Sequence, residues 1–453
     1  MSFQADRFES LDSCSDALLM DIAESTIAEK HSPLPRWLPW AHAILLAMTL
    51  YFWGAFLWTS EPLGYIYKRD FLSVYVGARA VAEGHGSELY TVELQRQLTD
   101  TAILPYSRRI LLPYIYPAYV AVLLSPLGKL PLVTAFFLWT GVNLLAAAWL
   151  LRRVLRYQSV FPGQRAILLV ACLAWVPLQL TISHGQMGLL CAVGVSEALV
   201  SLQSGKQWRA GCWLALGLVK PQIIALPLLA LAAWQCWRAI ASFTTILVVL
   251  VGLSFAKLGF WITDYLHFME EFYRRGKEFS LYPLAMQNWL GLVTALLGKD
   301  TGIAAHVLLG ILSLGSVLLV LFICRGRKGR PAGSTTPWRP GNLSVRFAIV
   351  ILLGLLTSPY LYFHDWVVAL PALAILFLSA TQWWQKNRSE RPAKILLWMI
   401  ALSPFVCFAV QFGVWPKTTP VQLAPWYMAV LTAMAVIGLQ RAENTNLEGN
   451  TGE

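Results

Sequence analysis

Residues 133–156 read VTAFFLWTGVNLLAAAWLLRRVLR, an apolar stretch that ends in a cluster of arginines. A helix needs roughly 20 apolar residues to cross a bilayer, so this stretch predicts a membrane-spanning helix. Basic residues collect on the cytoplasmic side of membrane proteins, and Arg152, Arg153 and Arg156 therefore orient its C-terminal end toward the cytoplasm. The stretch indicates an integral membrane protein and sets its orientation.

The amino-acid composition also supports an integral membrane protein over a soluble or a nucleic-acid-binding protein. Of the 453 residues 57% are hydrophobic and 13% are charged, whereas a soluble domain carries about a quarter charged residues. The net charge of +11 does not indicate nucleic-acid binding, because the basic residues lie in short clusters between apolar runs, as orientation signals do. The seven cysteines form no C-x-x-C pair, so neither a zinc site nor a disulfide framework is indicated.

The apolar stretches predict an all-α, polytopic membrane protein of about 12 transmembrane helices, each needing roughly 20 residues. Both ends are expected in the cytoplasm, with a membrane domain at 37–440, a C-terminal tail at 441–453 and a linker at 325–342. The N-terminal tail, 1–36, is acidic and lacks the basic start of a signal peptide. The predicted spans are 37–58, 133–151, 167–182, 187–202, two arms within 210–234, 243–258, 304–324, 347–359, 366–380, 395–411 and 426–439.

The stretch 210–234 is predicted to be a hairpin with its turn near Lys220-Pro221. Basic residues flank the stretch on both sides, so a single crossing would invert the orientation of everything that follows. Each arm of about 12 residues reaches ~18 Å, less than the ~30 Å hydrocarbon core. Irregular backbone at that depth is tolerated only inside protein or along a cavity. We therefore expect Lys220 in a cavity open to the outer side.

The first outer loop, residues 59–132, is the longest connection between the predicted spans. Apolar residues from Phe71 to Val81 recur at helical spacing, which predicts an amphipathic helix lying on the bilayer. Residues 114–127 are apolar but too short to cross, so we expect them to form an interfacial or dipping segment. Asp70 lies beside Lys68 and Arg69 at the start of the amphipathic helix and is the first candidate for chemistry.

Polar groups gather at the predicted outer ends of the helices, and their convergence on one membrane face predicts a site there. Each also has a structural interpretation: an Asp before a helix is commonly an N-cap, a lysine can snorkel, and arginines can pair with lipid headgroups. A His-Gly-Gln triplet can be a tight turn, and a His-Asp dipeptide can be a structural pair at a helix start. The groups are Lys68-Arg69-Asp70, Arg108-Arg109, His184-Gly185-Gln186, Lys220-Pro221-Gln222, Arg274-Arg275 with Lys277, Gln287-Asn288 and Tyr360 to Asp365.

The available side chains suit group transfer from a lipid-borne phosphate ester. The chain has no GxxxxGK[ST] phosphate loop, no GxSxG elbow and no HExxH zinc helix, so a donor must arrive already activated. An ionised Asp70 can take a proton from an acceptor hydroxyl without a metal, and no metal or other cofactor is expected. Cations can stabilise the leaving phosphate; the candidates are Arg69, Arg108, Arg109, Lys220, Arg274 and Arg275.

Further polar and aromatic residues of the same outer groups are predicted to contact substrate. The apolar flank of the Phe71 helix and the Tyr114 segment are expected to hold an isoprenoid tail. The candidate substrate residues are Tyr75, Tyr114, Tyr116, His184, Gln186, Gln222, Gln287, Tyr360 and Asp365.

A series of short motifs gives the chain a family resemblance. In order they are Arg69-Asp70-Phe71, Gly84 with Leu89-Tyr90, Tyr114-Ile115-Tyr116-Pro117, Ser125-Pro126-Leu127, Gly185-Gln186, Lys220-Pro221-Gln222, Gln287, and Ser358-Pro359 with His364-Asp365. From about residue 60 to 370 this series resembles glycosyltransferase family 87. These are polyprenyl-phosphate-dependent membrane enzymes of the C-type glycosyltransferase superfamily, and they include a mycobacterial mannosyltransferase that extends phosphatidylinositol mannosides.

The resemblance implies a fold like that of the C-type glycosyltransferases, an extracytoplasmic active site and inversion at the sugar carbon. It assigns the general base to Asp70 and a supporting catalytic role to His364. Two positions depart from the family pattern: Ala118 follows Tyr116-Pro117 where the family often has a second proline, and Met187 follows Gly185-Gln186 where it has an asparagine. Both can alter the acceptor site, so the identity of the acceptor does not carry over.

The expected function is that of a hexosyltransferase (EC 2.4) in a bacterial inner membrane. A polyprenyl-phosphate sugar, with mannose expected, is the donor, and a glycolipid or glycan is the acceptor; the linkage and the oligomeric state stay open. A lipid or oligosaccharide flippase is the alternative from another class, and it predicts ionisable residues near the midplane and two related halves with broken helices. A surface-polysaccharide polymerase or ligase also stays open, although it usually has its largest outer loop late in the chain.

Overall fold

A computed structural model describes residues 34–35, 37–59, 61–156, 162–279, 281–298, 302–325, 340–386, 391–411 and 423–448. Within these residues the regular secondary structure is entirely helical. The predicted N-terminal tail, 1–36, and the linker, 325–342, lie almost wholly outside the described residues. The last helix ends at Glu448, so it continues beyond the predicted span 426–439 into the predicted C-terminal tail.

Nineteen α-helices and five 3-10 segments make up the described chain. The 3-10 segments are Gly86–Glu88, Ala215–Val219, Gly276–Phe279, Pro283–Ala285 and Phe363–Val368. The α-helices are α1 Leu38–Thr59, α2 Pro62–Ile66, α3 Phe71–Ala82, α4 Val92–Ile103, α5 Ala118–Gly128, α6 Leu132–Leu155, α7 Pro162–Leu173, α8 Val176–Ser183, α9 Gly188–Gln203, α10 Gln207–Leu214, α11 Pro221–Ala233, α12 Trp237–Leu258, α13 Ile262–Arg275, α14 Trp289–Leu297, α15 Gly302–Cys324, α16 Pro340–Thr357, α17 Ala369–Lys386, α18 Arg391–Gln411 and α19 Leu423–Glu448.

Five helical stretches of the described chain are long and apolar enough to cross a bilayer: α6, α12, α15, α18 and the continuous segment Phe363–Lys386 that contains α17. The total of about 12 crossings stays a prediction. Large apolar side chains are exposed along α6, α12 and α15, for example Leu145, Val248 and Ile311, whereas α17 is buried throughout its apolar part. An apolar exterior around an apolar interior suits lipid rather than water as the solvent.

Several predicted helices are interrupted at points where the sequence carries proline. The predicted span 167–182 is two helices, α7 and α8, separated at Ala174-Trp175, with Pro177 in the first turn of α8. Proline lacks a backbone donor and fits the first turn of a new helix. The predicted break at Lys220-Pro221 is present: a 3-10 segment precedes Lys220, and α11 starts at Pro221.

The surroundings of helix α3 differ from those predicted from the sequence. The sequence indicated an amphipathic helix resting on the bilayer, but ten of its twelve residues are buried within the protein. Small residues make this burial possible, because a Cβ at Gly77 would overlap the Tyr114 ring and a Cβ at Gly128 would overlap the Ala78 backbone. Helix α3 therefore packs closely against α5, which has 11 residues, too few to cross a bilayer.

Four hydrogen bonds, two of them from α3, connect the elements around the start of α3. The Phe71 amide donates to the His184 carbonyl at 2.9 Å, and the Tyr75 hydroxyl donates to the Leu130 carbonyl at 2.7 Å. The indole of Trp139 donates to the Gly185 carbonyl, and the Thr181 hydroxyl donates to the carbonyl of His364. These contacts bring the first loop, the α8–α9 turn and the Phe363–Val368 segment together.

The geometry of α6 gives a test of orientation. Its 24 residues reach ~36 Å, and the Tyr75–Leu130 contact ties the first loop to its N-terminal end. We therefore expect Arg109→Cys to react with an impermeant maleimide added outside intact cells, and Arg156→Cys to react only after permeabilisation; both positions are exposed. The background would carry Cys14→Ser and Cys212→Ser, because the other native cysteines are buried. Labelling of both positions from one side would contradict this orientation.

Candidate active site

Asp70 lies at the start of α3 with its side chain turned toward a cavity. It occupies the N-cap position, but the side chain makes no capping hydrogen bond and the backbone is helical there. The capping interpretation of Asp70 is therefore wrong for its side chain. The carboxylate has 31% of its side-chain surface exposed, which leaves it accessible from the cavity.

Two neighbouring side chains contact one oxygen of this carboxylate. His184 Nδ1 lies 3.1 Å from Asp70 Oδ2, and the Gln186 side-chain amide donates to the same oxygen at 2.9 Å. Both belong to the turn between α8 and α9, where Gly185 has a φ of +64°. A Cβ at Gly185 would also come within 2.7 Å of the Phe71 Cβ, so glycine allows the turn to approach α3. In the described part of the chain no donor contacts Asp70 Oδ1.

Behind Gln186 lies a buried ion pair. Lys220 Nζ lies 2.5 Å from Asp365 Oδ1 and also donates to Gln186 Oε1 at 2.9 Å. The side chains of Lys220 and Asp365 are 5% and 1% exposed. Tyr116 donates to the same amide oxygen at 3.3 Å. The ammonium thus has a carboxylate and an amide as partners, and its predicted contact with a donor phosphate stays a prediction.

His364 lies between the two carboxylates. Its Nδ1 is 3.9 Å from Asp70 Oδ2, and its Nε2 is 3.5 Å from Asp365 Oδ2. The Asp365 carboxylate also accepts from the Tyr362 amide at 3.3 Å, so the His-Asp pair has a structural part at the start of its 3-10 segment. The imidazole is close enough to Asp70 to influence its charge.

The surroundings of Asp70 favour its ionised form. Burial by itself raises the pKa of the carboxyl group. The hydrogen bond from His184, the positive charge that His184 and His364 carry when protonated, and the hydrogen bond from Gln186 lower the pKa by more. The pKa of Asp70 therefore lies well below its ordinary value, and the group is a carboxylate at neutral pH.

Asp70, His184 and His364 are also the group that most resembles a metal site, because one donor atom from each lies within 4.8 Å of the others. Arg69 Nη1, however, lies 2.9 Å from His184 Nε2. A guanidinium can only donate, so Nε2 is the acceptor and the proton is on Nδ1. A metal on Nδ1 would move that proton to Nε2, against the guanidinium. The arrangement fits a hydrogen-bonded carboxylate better than a metal centre, and a metal-free site stays a prediction.

The cavity in front of Asp70 has a volume of about 620 Å³, within the ~300–1,000 Å³ typical of ligand sites. Among its described lining residues Asp70 is the sole carboxylate, and Arg108 and Lys220 are the cations. Arg108 donates to the Tyr67 carbonyl at 3.0 Å and is partly exposed. Aromatic side chains form much of the remaining wall. The site combines a base, a cation and an apolar surface.

Comparisons with known proteins identify relatives that act on a lipid-linked sugar phosphate, for which a base, a cation and an apolar surface are suited. Residues 114–336 match the model of glycosyltransferase family 87. Two relatives are polyprenol-phosphate-mannose-dependent alpha-(1-2)-phosphatidylinositol pentamannoside mannosyltransferases. The protein of Mycolicibacterium smegmatis (strain ATCC 700084 / mc(2)155) is 26% identical over 388 residues, which cover 81% of this chain and 83% of the relative. The protein of Mycobacterium tuberculosis (strain CDC 1551 / Oshkosh) is 26% identical over 393 residues, covering 81% and 80%.

The chain is similar to glycosyltransferase family 87 over residues 114–336 and to these two mannosyltransferases over most of its length. No solved structure matches it. The match to the family model includes His184, Gln186 and Lys220 but begins after Asp70 and ends before His364. The resemblance seen in the sequence is thereby confirmed, and the protein is a membrane glycosyltransferase.

The cavity of the glycosyltransferase gathers about half of the residues predicted from the sequence. The predicted residues that line it are Asp70, Arg108, Tyr116, His184, Gln186, Lys220, Gln222, Tyr360 and His364. Arg69 and Asp365 are absent from the wall but contact wall residues directly. The roles of all these residues in the reaction stay predictions.

The structure does not bring the other predicted residues into the wall. Arg275 pairs with Glu271 and Glu278 of its own segment, and Arg274, like Arg109, is exposed and not among the lining residues. Tyr75 and Tyr114 are buried and bonded to backbone carbonyls. The amide of Gln287 donates to the Ala285 carbonyl. These positions support the fold around the site.

Several lining residues were missed from sequence. Helix α13 contributes Tyr265, Met269, Phe272 and Tyr273, and Phe279 and Tyr282 follow it in the chain. The positions 265, 269 and 272 follow helical spacing, which indicates one face of a helix. That spacing was the available signal, but an aromatic face more often packs in a core than lines a ligand cavity.

Proposed function

We propose that this glycosyltransferase transfers mannose from polyprenyl-phosphate mannose to a glycolipid or glycan acceptor, with inversion, on the extracytoplasmic face. Asp70 acts as the general base. The observation that carries the proposal is the Asp70 carboxylate itself: it is bonded through Oδ2, exposed to the cavity, and low in pKa. The named activity of the two relatives supports the donor and the sugar.

In the proposed reaction the acceptor hydroxyl attacks the anomeric carbon and gives its proton to Asp70 Oδ1. The bond from that carbon to the phosphate oxygen breaks, and polyprenyl phosphate leaves with the electron pair. A second carboxylate would be needed as a nucleophile for a double displacement with retention. Asp70 is the sole carboxylate among the described lining residues, which favours a single displacement and inversion.

The leaving phosphate is proposed to contact Arg108. This guanidinium lines the cavity with Asp70, and its charge stabilises the oxygen that gains negative charge as the bond breaks. Lys220 is less suitable, because it already pairs with Asp365. The apolar and aromatic wall, including Met269, Phe272 and Phe279, provides a surface for the isoprenoid.

The donor class can be tested with purified protein. We expect transfer from polyprenyl-phosphate mannose to an acceptor glycolipid, with release of polyprenyl phosphate, and no transfer from a nucleotide sugar. The rate should persist in the presence of a chelator, because the proposed base and phosphate partner are side chains. Transfer from GDP-mannose alone, or complete loss of activity with the chelator, would contradict the proposal.

The base can be tested by Asp70→Asn, which keeps the size of the side chain and removes its basicity. A general base contributes about 10²–10⁴-fold to a rate, so we expect kcat to fall by that factor while donor binding persists. Donor binding would be followed by thermal stabilisation of the detergent-solubilised protein. Turnover near the wild-type rate in Asp70→Asn would show that Asp70 is not the base.

Adjacent arginines provide a matched test of the phosphate contact. Arg108 lines the cavity and Arg109 does not. Loss of one preorganised donor to a developing charge costs about 10²–10³-fold in kcat, so we expect that loss in Arg108→Gln and a rate near wild type in Arg109→Gln. Equal effects of the two substitutions in steady-state assays would remove Arg108 from the proposed mechanism.

A further inference from the structure

Two cations are linked to Asp70 indirectly, because one neutral side chain lies between each cation and the Asp70 carboxylate. Arg69 contacts His184, which contacts Asp70. Lys220 contacts Gln186, which contacts Asp70. Both neutral side chains approach the same oxygen, Oδ2. The mechanism proposed above uses neither cation.

The Lys220 contact holds the Gln186 amide in one orientation. An ammonium has three donors and no acceptor, so the atom that faces Lys220 at 2.9 Å must be the amide oxygen. The Tyr116 hydroxyl reaches the same oxygen. The amide nitrogen is consequently directed to Asp70 Oδ2. Without the ammonium, the amide nitrogen would still face the acceptor-only carboxylate, but the amide oxygen would lose the charged donor that holds it in place.

The Arg69 contact determines the tautomer of His184 in the same way. Because a guanidinium cannot accept a hydrogen bond, Nε2 of His184 is unprotonated at its 2.9 Å contact. The ring proton therefore lies on Nδ1 and is donated to Asp70 Oδ2. The Arg69 guanidinium is itself held over the Tyr65 ring, 4.1 Å from the centroid, which limits its movement.

We propose that Lys220 and Arg69 are positioning residues that fix the polarity of the two donors to Asp70 and thereby leave Oδ1 as the oxygen that accepts the proton. This inference rests on the proposed role of Asp70 as the general base. Two donors on one carboxylate oxygen make the other oxygen the free base and set its direction. A reacting group must be held in close to one geometry, since a misplacement of about 1 Å can cost on the order of 10²-fold in rate.

Lys220 is tested by removing both members of its ion pair. Lys220→Met alone would leave the Asp365 carboxylate buried and unpaired, which is strongly destabilising. Lys220→Met/Asp365→Asn removes both charges and keeps an oxygen that can accept from the Tyr362 amide. We expect the unfolding temperature of the double variant to stay near that of the wild type. We expect kcat to fall on the order of 10²-fold, with the donor KM near wild type.

A second comparison asks whether Lys220 acts through Gln186. Gln186→Leu should lower kcat by a factor similar to that of the double variant. Combining all three substitutions should lower it no further, because residues that act through one contact are not additive. A raised donor KM in Lys220→Met/Asp365→Asn, or additive losses in the triple variant, would instead indicate direct contact with the donor and overturn the inference.

The role of Arg69 can be tested with the adjacent Lys68 as a matched control. Lys68 is exposed and lies over the Tyr67 ring, 5.2 Å from the centroid. Arg69→Met should lower kcat in the wild-type background but not in a His184→Phe background, whereas Lys68→Met should leave kcat unchanged in both. An equal loss from Arg69→Met in both backgrounds would show that Arg69 does not act through His184.

The two proposals fail in distinguishable ways. If the wild type transfers nothing from polyprenyl-phosphate mannose, or Asp70→Asn keeps its turnover, the proposed function is wrong. If both behave as proposed and Lys220→Met/Asp365→Asn turns over at the wild-type rate, then Lys220 is only a structural ion pair. In that case the inference about positioning is wrong while the proposed function stands.

Discussion

The buried ion pair between Lys220 and Asp365 joins two interruptions of the helical chain. Lys220 lies between a 3-10 segment and α11, and Asp365 lies in the 3-10 segment that precedes α17. Removing one partner of a buried pair costs about 3–5 kcal/mol, so the two breaks can be buried together but not separately. Gln186 and His364 contact the same pair. The ion pair thus determines where the groups around Asp70 can lie.

The surrounding helices make this polar centre possible in a membrane. Irregular backbone is tolerated at depth only when protein encloses it, and α17 is buried while α6, α12 and α15 present apolar side chains outward. Enclosure also lowers the local dielectric constant, which strengthens the hydrogen bonds to Asp70 and raises the cost of leaving any group unpaired. Fold and chemistry therefore depend on the same separation of lipid-facing and buried helices.

The sequence predicted those site residues whose polarity differs from that of their neighbours in the chain. Asp70, Lys220 and His184 are polar residues in or beside apolar runs, and polar groups in such places are expensive unless they have a role. Partners are harder to predict, because they depend on the folded chain. Arg275 pairs with its own helix instead of a substrate, and the burial of α3 depends on close packing at Gly77. The spacing of apolar residues predicted that α3 is a helix, but it did not predict which parts of the protein cover that helix.

The low pKa of Asp70 constrains the timing of the proposed reaction. A base works best when its pKa lies near the operating pH, and donors that keep Asp70 ionised also make it a weak base toward a free hydroxyl. The hydroxyl becomes much more acidic once its oxygen bonds to the anomeric carbon. Proton transfer to Oδ1 should therefore follow substantial cleavage of the bond to phosphate. In such a sequence much of the barrier lies in the departure of the phosphate, so stabilisation of its charge by Arg108 contributes to the rate together with proton removal by Asp70.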